Sequence, residues 1–486
     1  MHELVIRNGT VVTASDMFGA DIGVDGGVIT ALAPRLSGRT EIEARGRLVI
    51  PGGIDSHCHA EQSMSGGVVN ADDLFTATRS AACGGTTSVI CFALQPRDGT
   101  LADIVPSYAE RAKRCAVDYA FHLWVTNPTD HVLHSELPAL IAAGHRSVKV
   151  FMTGKTNWLD DLALLRVLAV AREHGALVTV HAENWGIHQF LGERLKAGGF
   201  HHPKYQAVLK PAIGEREAVH RVASLAELVD APIQIFHVSA PEAAAEIETA
   251  QRRGARVHGE TCVQYLALSA ADLNRPGFEA AKYVFGPAPR AAADRHALWD
   301  YLRRGVLDVV TSDHAPVNFD AADGKKRWGE DASVDQIPNG IPGVETRMSL
   351  LWSEGVATGR ITPQQFVALT STNAARTFGL APRKGSIAIG ADADLVVWDP
   401  ERQDRVTNAK LHHAVDYTPY EGMVLTGWAE TTLLRGQVVF HQGRYLGHEG
   451  QGRWLARDRY DWLKPSGHFP SGYDPFGQVV THPDLH

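Results

Sequence analysis

Residues 147–184, SVKVFMTGKTNWLDDLALLRVLAVAREHGALVTVHAEN, decide the fold. The stretch opens on a short apolar run, 147–152, and ends on another, 177–181, and both read as buried strands. Between them LDDLALLRVLAVAREHGA carries apolar residues at helical spacing. Strand, helix, strand is the repeating unit of a parallel sheet. One residue does not suit such a strand. Lys149 lies between Val148 and Val150, where an ammonium either snorkels to the surface or has a partner that makes its burial tolerable.

Working outward, the same texture yields eight strand candidates: 53–59, 87–92, 119–126, 147–152, 177–181, 232–239, 256–261 and 307–313. Most are followed by helical stretches, so the expected fold is α/β, a (β/α)8 TIM-like barrel over residues 53–384. The first fifty residues differ, with short alternating strands and turns at Asn8–Gly9 and Asp25–Gly26. That β-rich texture returns in GSIAIGADADLVVWDP and WAETTLLRGQVVFHQGRYL. Residues 1–52 and 385–448 are therefore expected to build one small composite β-sandwich domain from both ends, with the barrel as an insertion. Residues 449–486, rich in Pro, Gly and aromatics, form a C-terminal arm that either packs or is partly disordered.

Composition excludes several classes of function. The 486 residues are 44% hydrophobic and 21% charged, and the net charge of −8 is spread without a basic stripe, so no nucleic-acid partner is expected. No apolar run reaches membrane-spanning length, and MHELVIRNGTVVTASD lacks the charged n-region and continuous apolar h-region expected of a signal peptide. Five scattered cysteines without a CxxC pattern suit a reducing compartment, and the expected location is cytoplasmic.

Chemistry-bearing residues fall at the C-terminal ends of the strand candidates, where such barrels place their sites. His57 and His59 are two apart in GGIDSHCHAE and should share a face. His181 ends LVTVHAEN, His237 ends IQIFHVS, and Asp313 ends LDVVTSDHAP. Each histidine alone would be an ordinary core or loop residue. Four imidazoles and a carboxylate converging on one mouth are a ligand set for zinc-like ions. Lys149 completes it if its amine is carboxylated by CO2, because a carbamate is an anion that can bridge two cations and an ammonium is not.

At this point the chain resembles the hydantoinase and dihydropyrimidinase branch of the cyclic amidohydrolases, through GRLVIPGGIDSHCH, NADDLFTATRSAACGGTTSVI, SVKVFM, VHAEN, FHVS, GETCVQYL, TSDHAP, IPNGIPGVETR and HHAVDYTPYEGM. The resemblance implies two divalent metal ions, most often Zn2+. His57, His59 and Asp313 would hold the more buried ion, His181 and His237 the other, and Lys149 as N6-carboxylysine would bridge both. It further implies ring opening of a cyclic amide or ureide by a bridging hydroxide. The product would be an N-carbamoyl or carboxamide acid. Asp313 would act as the proton carrier and main-chain groups at Gly286 and Asn339 would hold the amide edge. A homotetramer is also implied.

One departure stands out. The family usually has a tyrosine where this chain has Gly154. Thr153, Lys155 and Trp158 are the nearby candidates to supply the lost donor, Thr153, Gly154 and Trp158 are expected to touch substrate, and a neighbouring loop is an equal candidate to refill the space. Allantoinase or cyclic imide hydrolase therefore stays open beside hydantoinase. Glu61 stands where dihydroorotase-type enzymes have an arginine and would repel a carboxylate, so a small neutral cyclic ureide or imide is the expected substrate. The segment APVNFDAADGKKRWGEDASVDQ reads either as a lid or as a solvated insertion. Residues 64–67 are expected to wall the cavity. A non-catalytic oligomeric scaffold of this fold would have lost ligands; all six are present here.

Overall fold

A computed structural model describes residues 1–63, 67–482 and 484–485. The middle of the chain is an eight-stranded parallel sheet in strict chain order. Its strands are β1 (Gly53–Asp55), β2 (Thr86–Leu94), β3 (Asp118–Trp124), β4 (Ser147–Phe151), β5 (Leu177–His181), β6 (Ile233–Ile235), β7 (Val257–Cys262) and β8 (Val309–Thr311). The seam between β8 and β1 closes just past the strand ends. There Cys58 and His314 form a parallel bridge, and the His59 amide donates to His314 O at 2.7 Å.

Three strands are shorter than the sequence suggests: β1, β6 and β8 end at Asp55, Ile235 and Thr311. His237 and Asp313 take left-handed backbone, with φ of 40° and 45°, and a strand cannot continue through such a residue. His57 and His59 accordingly lie beyond their strand, with the His57 amide on Asp55 Oδ1 at 3.2 Å. Each left-handed non-glycine residue costs on the order of 1–3 kcal/mol and persists only where the surroundings over-determine it. Here the strain turns two chemistry-bearing side chains into the barrel mouth.

Both ends of the chain share a seven-stranded sheet, in which Leu395–Arg405 runs antiparallel to Leu48–Pro51, with Leu395 opposite Pro51 and Trp398 opposite Leu48. A second, four-stranded sheet comes from residues before 44. Val11, Val49, Leu395 and Leu433 belong to the core of this β unit.

The arm closes the barrel floor. Trp454 bridges Tyr119, and Leu455 and Leu463 join the same buried cluster as Ile54, Phe92 and Phe236 inside the barrel. Buried Arg457 donates to Ser147 Oγ and to Phe121 O, each at 2.6 Å. Among the described residues, no helix is long and apolar enough to cross a membrane.

Barrel and β unit meet at a buried charge cluster. The Lys384 ammonium lies 2.6 Å from Asp118 and from Asp394 and 2.8 Å from Asp392, and Arg435 also pairs with Asp118. Burial disfavours the Lys384 charge, but the three carboxylates outweigh it and raise its pKa. Removing one partner of such a cluster strands buried charge, at a cost of about 3–5 kcal/mol. Lys384→Met should therefore lower the denaturant midpoint by that equivalent, while an exposed control, Lys464→Met, leaves it in place.

Candidate metal centre

The mouth of the barrel brings the predicted donors together. His57 Nε2 and His59 Nε2 lie 3.1 and 3.4 Å from Asp313 Oδ1, and His181 Nδ1 lies 2.8 Å from His237 Nε2. One ligand atom each from His57, His237 and Asp313 falls within 4.8 Å of the others. Lys149 projects from β4 into the same space. Its ammonium is fully buried, finds no hydrogen-bond partner, and faces the rings of Phe236, Phe151 and Phe92 at 4.1, 4.8 and 5.7 Å.

Three of these histidines are held from behind. His57 Nδ1 meets Glu260 Oε1 at 2.7 Å, His59 Nδ1 meets Gln62 Oε1 at 2.6 Å, and His181 Nε2 meets Glu183 Oε2 at 2.7 Å. Each contact fixes a ring and leaves its other nitrogen facing the centre. Glu183 in turn faces His188 at 3.4 Å and Lys210 at 3.9 Å, and His188 Nδ1 meets Thr153 Oγ1 at 2.9 Å.

Electrostatics favour neutral nitrogen at three of the four histidines. Burial lowers His59 and His237 and takes His181 down to about 4. For His57, burial works the same way, but Asp313 and Glu260 outweigh it and raise the group. Burial alone drives Lys149 down to about 7, against the upward pull of Glu260 and Asp313. Asp313 is held well below the carboxylate range because His57 and His59 overcome its burial. Neutral imidazoles at His59, His181 and His237 and an ionised carboxylate fit divalent cations. The unpartnered atoms Lys149 Nζ, His237 Nδ1 and Glu260 Oε2 are costs that a fully satisfied core would avoid.

In front of the donors lies a cavity of about 1070 Å³, lined among others by Trp124, Phe151, Trp185, Phe285, Trp328 and Asn339. Gly286, Thr153 and Gly154 reach it as expected. Trp158 does not line it; the residue is 40% exposed and its backbone pairs with Phe151. Gly154 has φ +95°, and among the described residues a Cβ there would meet nothing nearer than Asn157 at 4.0 Å, so the space immediately beside its backbone is open. The Thr153 hydroxyl is taken by His188 and Lys155 is exposed at the rim. Glu61 is turned away from the cavity, towards Arg111 at 3.6 Å and the Leu74 amide at 3.3 Å. The ground for expecting a neutral ring is thus removed. Residues 64–66 of the expected wall lie outside the described residues, and Gly67 faces Arg327.

The segment after Asp313 is anchored to the barrel through one buried side chain. Lys325, 1% exposed, donates to Val284 O, Pro338 O and Gly340 O at 2.7–2.8 Å. A trans peptide points its carbonyl and the following N–H in opposite directions, so drawing Pro338 O to Lys325 turns the Asn339 N–H the other way.

These features recur in known proteins. Residues 48–439 match the amidohydrolase family. The chain belongs to that family. This amidohydrolase is 43% identical to D-hydantoinases of Ralstonia pickettii and Rhizobium radiobacter, each match covering 94% of this chain and 99% of the relative. It superposes on a dihydropyrimidinase from Brevibacillus agri with a TM-score of 0.91 at 41% identity, covering 94% of this chain and 99% of that one.

Sequence reasoning named neither Glu260 nor Glu183 nor Lys325. Glu260 carried the same signal as Lys149, a charge inside a strand candidate. Glu260→Gln keeps the shape but removes the anion behind His57; loss of such support costs about 10–100-fold in metal affinity. Zinc competition against a chromogenic chelator should show a weakening of that size, with the fold intact by circular dichroism.

Proposed function

We propose that this amidohydrolase opens the ring of a cyclic ureide or imide, hydantoin-like, to give an N-carbamoyl or carboxamide acid. The observation that carries the reading is the convergence of His57, His59, Lys149, His181, His237 and Asp313 at the barrel mouth under one large cavity. Full-length relatives named for hydantoin hydrolysis support the same reaction class.

In this reading His57, His59 and Asp313 would hold one divalent ion and His181 and His237 the other, and Lys149, once carboxylated, would add an anionic donor. The ions, most simply Zn2+, supply an activated water and positive charge for the developing oxyanion. The chain does the rest. Asp313, ionised at neutral pH, takes the nucleophile's proton at a carboxylate oxygen and returns it to the departing ring nitrogen. Main-chain polar groups at Gly286 and Asn339 hold the amide edge, the latter oriented through Lys325. Trp124, Trp185 and Phe285 exclude bulk water, which strengthens each of these contacts. The open space at Gly154 favours rings with a large substituent.

The zinc-loaded protein should hydrolyse 5-substituted hydantoins, and Asp313→Asn should reduce kcat by about 10²–10⁴-fold. Turnover of allantoin or succinimide with none of hydantoin or dihydrouracil would move the assignment to those rings. Carboxylation has its own pH signature. A carbamate forms from the neutral amine, and burial brings the Lys149 amine to neutrality above about 7 instead of 10.5. Reconstitution of metal-free protein with zinc at fixed dissolved CO2 should accelerate as pH rises through about 7, and Lys149→Ala should show no such rise.

A further inference from the structure

Among the described residues lining the cavity, Lys210 is the one cation whose ammonium lies within the wall. Arg97, Lys155 and Lys196 are exposed residues of a mixed mouth that also carries Glu193 and Asp335. The Lys210 side chain is 14% exposed. Its nearest anion, Glu183 Oε2, is 3.9 Å away and is already engaged by His181 at 2.7 Å. Its one hydrogen-bond contact, to Asn339 Oδ1, is long at 3.4 Å, and that oxygen already accepts from Gln206 at 2.7 Å. An ammonium offers three donors. Here they are poorly met, with the cavity in front of them.

Gly286 is what lets the ammonium stand there. A Cβ at 286 would lie 2.3 Å from Lys210 Nζ, so any side chain at that position displaces it. A glycine and a lysine together place a positive charge beside Asn339. Nothing opposes an anion from the direction first expected, because Glu61 is spent on Arg111 and on the Leu74 amide. The cavity, about 1070 Å³, is as large as the upper end of small-molecule sites, roughly 1000 Å³. It has room for a ring with an extended arm.

We propose that Lys210 is the recognition residue for a carboxylate carried by the substrate, so that the preferred substrate is a cyclic ureide or imide with an acidic side chain. The proposal rests on the ring-opening reading above for its kinetic test and on binding alone for a second one.

The probes are 5-(2-carboxyethyl)hydantoin and its carboxamide, which match in shape and differ in charge. With zinc-loaded protein, kcat/KM should favour the acid by about tenfold or more, mainly through KM. Lys210→Met should bring the two probes close to parity and Lys210→Arg should keep the preference. Equal rates for both probes in the unsubstituted protein would overturn the proposal. So would an equal loss on both probes in Lys210→Met, which is what a residue acting only through Glu183 and His181 would give. Calorimetry on the metal-free protein supplies the second readout: the acid should bind more tightly than the amide, and Lys210→Met should abolish the difference. If neither probe is hydrolysed, the hydantoin form of the ring-opening reading fails. Lys210-dependent binding of the acid would then still uphold this proposal, and its absence would sink it.

Discussion

A primary amine near the barrel mouth, ringed by aromatic faces and without a hydrogen-bond partner, is the constraint around which this molecule is arranged. Burial of a lone ammonium is expensive, and the fold lowers the cost by destabilising the charge instead of pairing it. Phe92, Phe151 and Phe236 provide dry walls, while Glu260 and Asp313 keep Lys149 near the balance between its two forms. The same dry walls keep His181 and His237 uncharged. One physical cause thus keeps an amine and two imidazoles from holding charge.

The surrounding supports follow a common pattern. A charged or amide side chain stands behind each of three ring donors, and a buried lysine amine stands behind the peptides at Val284, Pro338 and Gly340. Glu260, Gln62 and Glu183 orient rings; Lys325 orients peptides. At the opposite end, Arg457 ties the arm to Ser147, two positions before Lys149 on the same strand. The mouth is therefore braced from both directions along β4.

Much of this was legible in the chain. Strand–helix alternation marked the barrel, and a run of His, Lys and Asp at strand ends marked the mouth, because both depend on local patterning. The β texture at both ends marked a shared sheet, now seen in the pairing of Leu395 with Pro51. What was not legible depends on direction in space. Three strands were overextended, two of them because the backbone turns left-handed at His237 and Asp313 where the residue pattern gives no sign of it. Glu61 was judged by its distance from the HxH pair, yet its side chain leaves the cavity for Arg111. Trp158 was judged by proximity to Gly154, yet its strand-like pairing with Phe151 carries it off the lining. Lys210 and Gly286 are 76 positions apart, and no local pattern announces that one occupies the other's side-chain space.

The shared sheet has a kinetic consequence. Its central pairing joins residues 51 and 395, separated by 344 positions. Contacts of such high contact order form only after the intervening chain has paid its closure entropy. Consecutive strand pairs within the barrel are far more local, so the pairing of 51 with 395 is favoured once the barrel holds its ends together. The small sheet, though built partly from the first residues of the chain, is in this order of events the last element to lock.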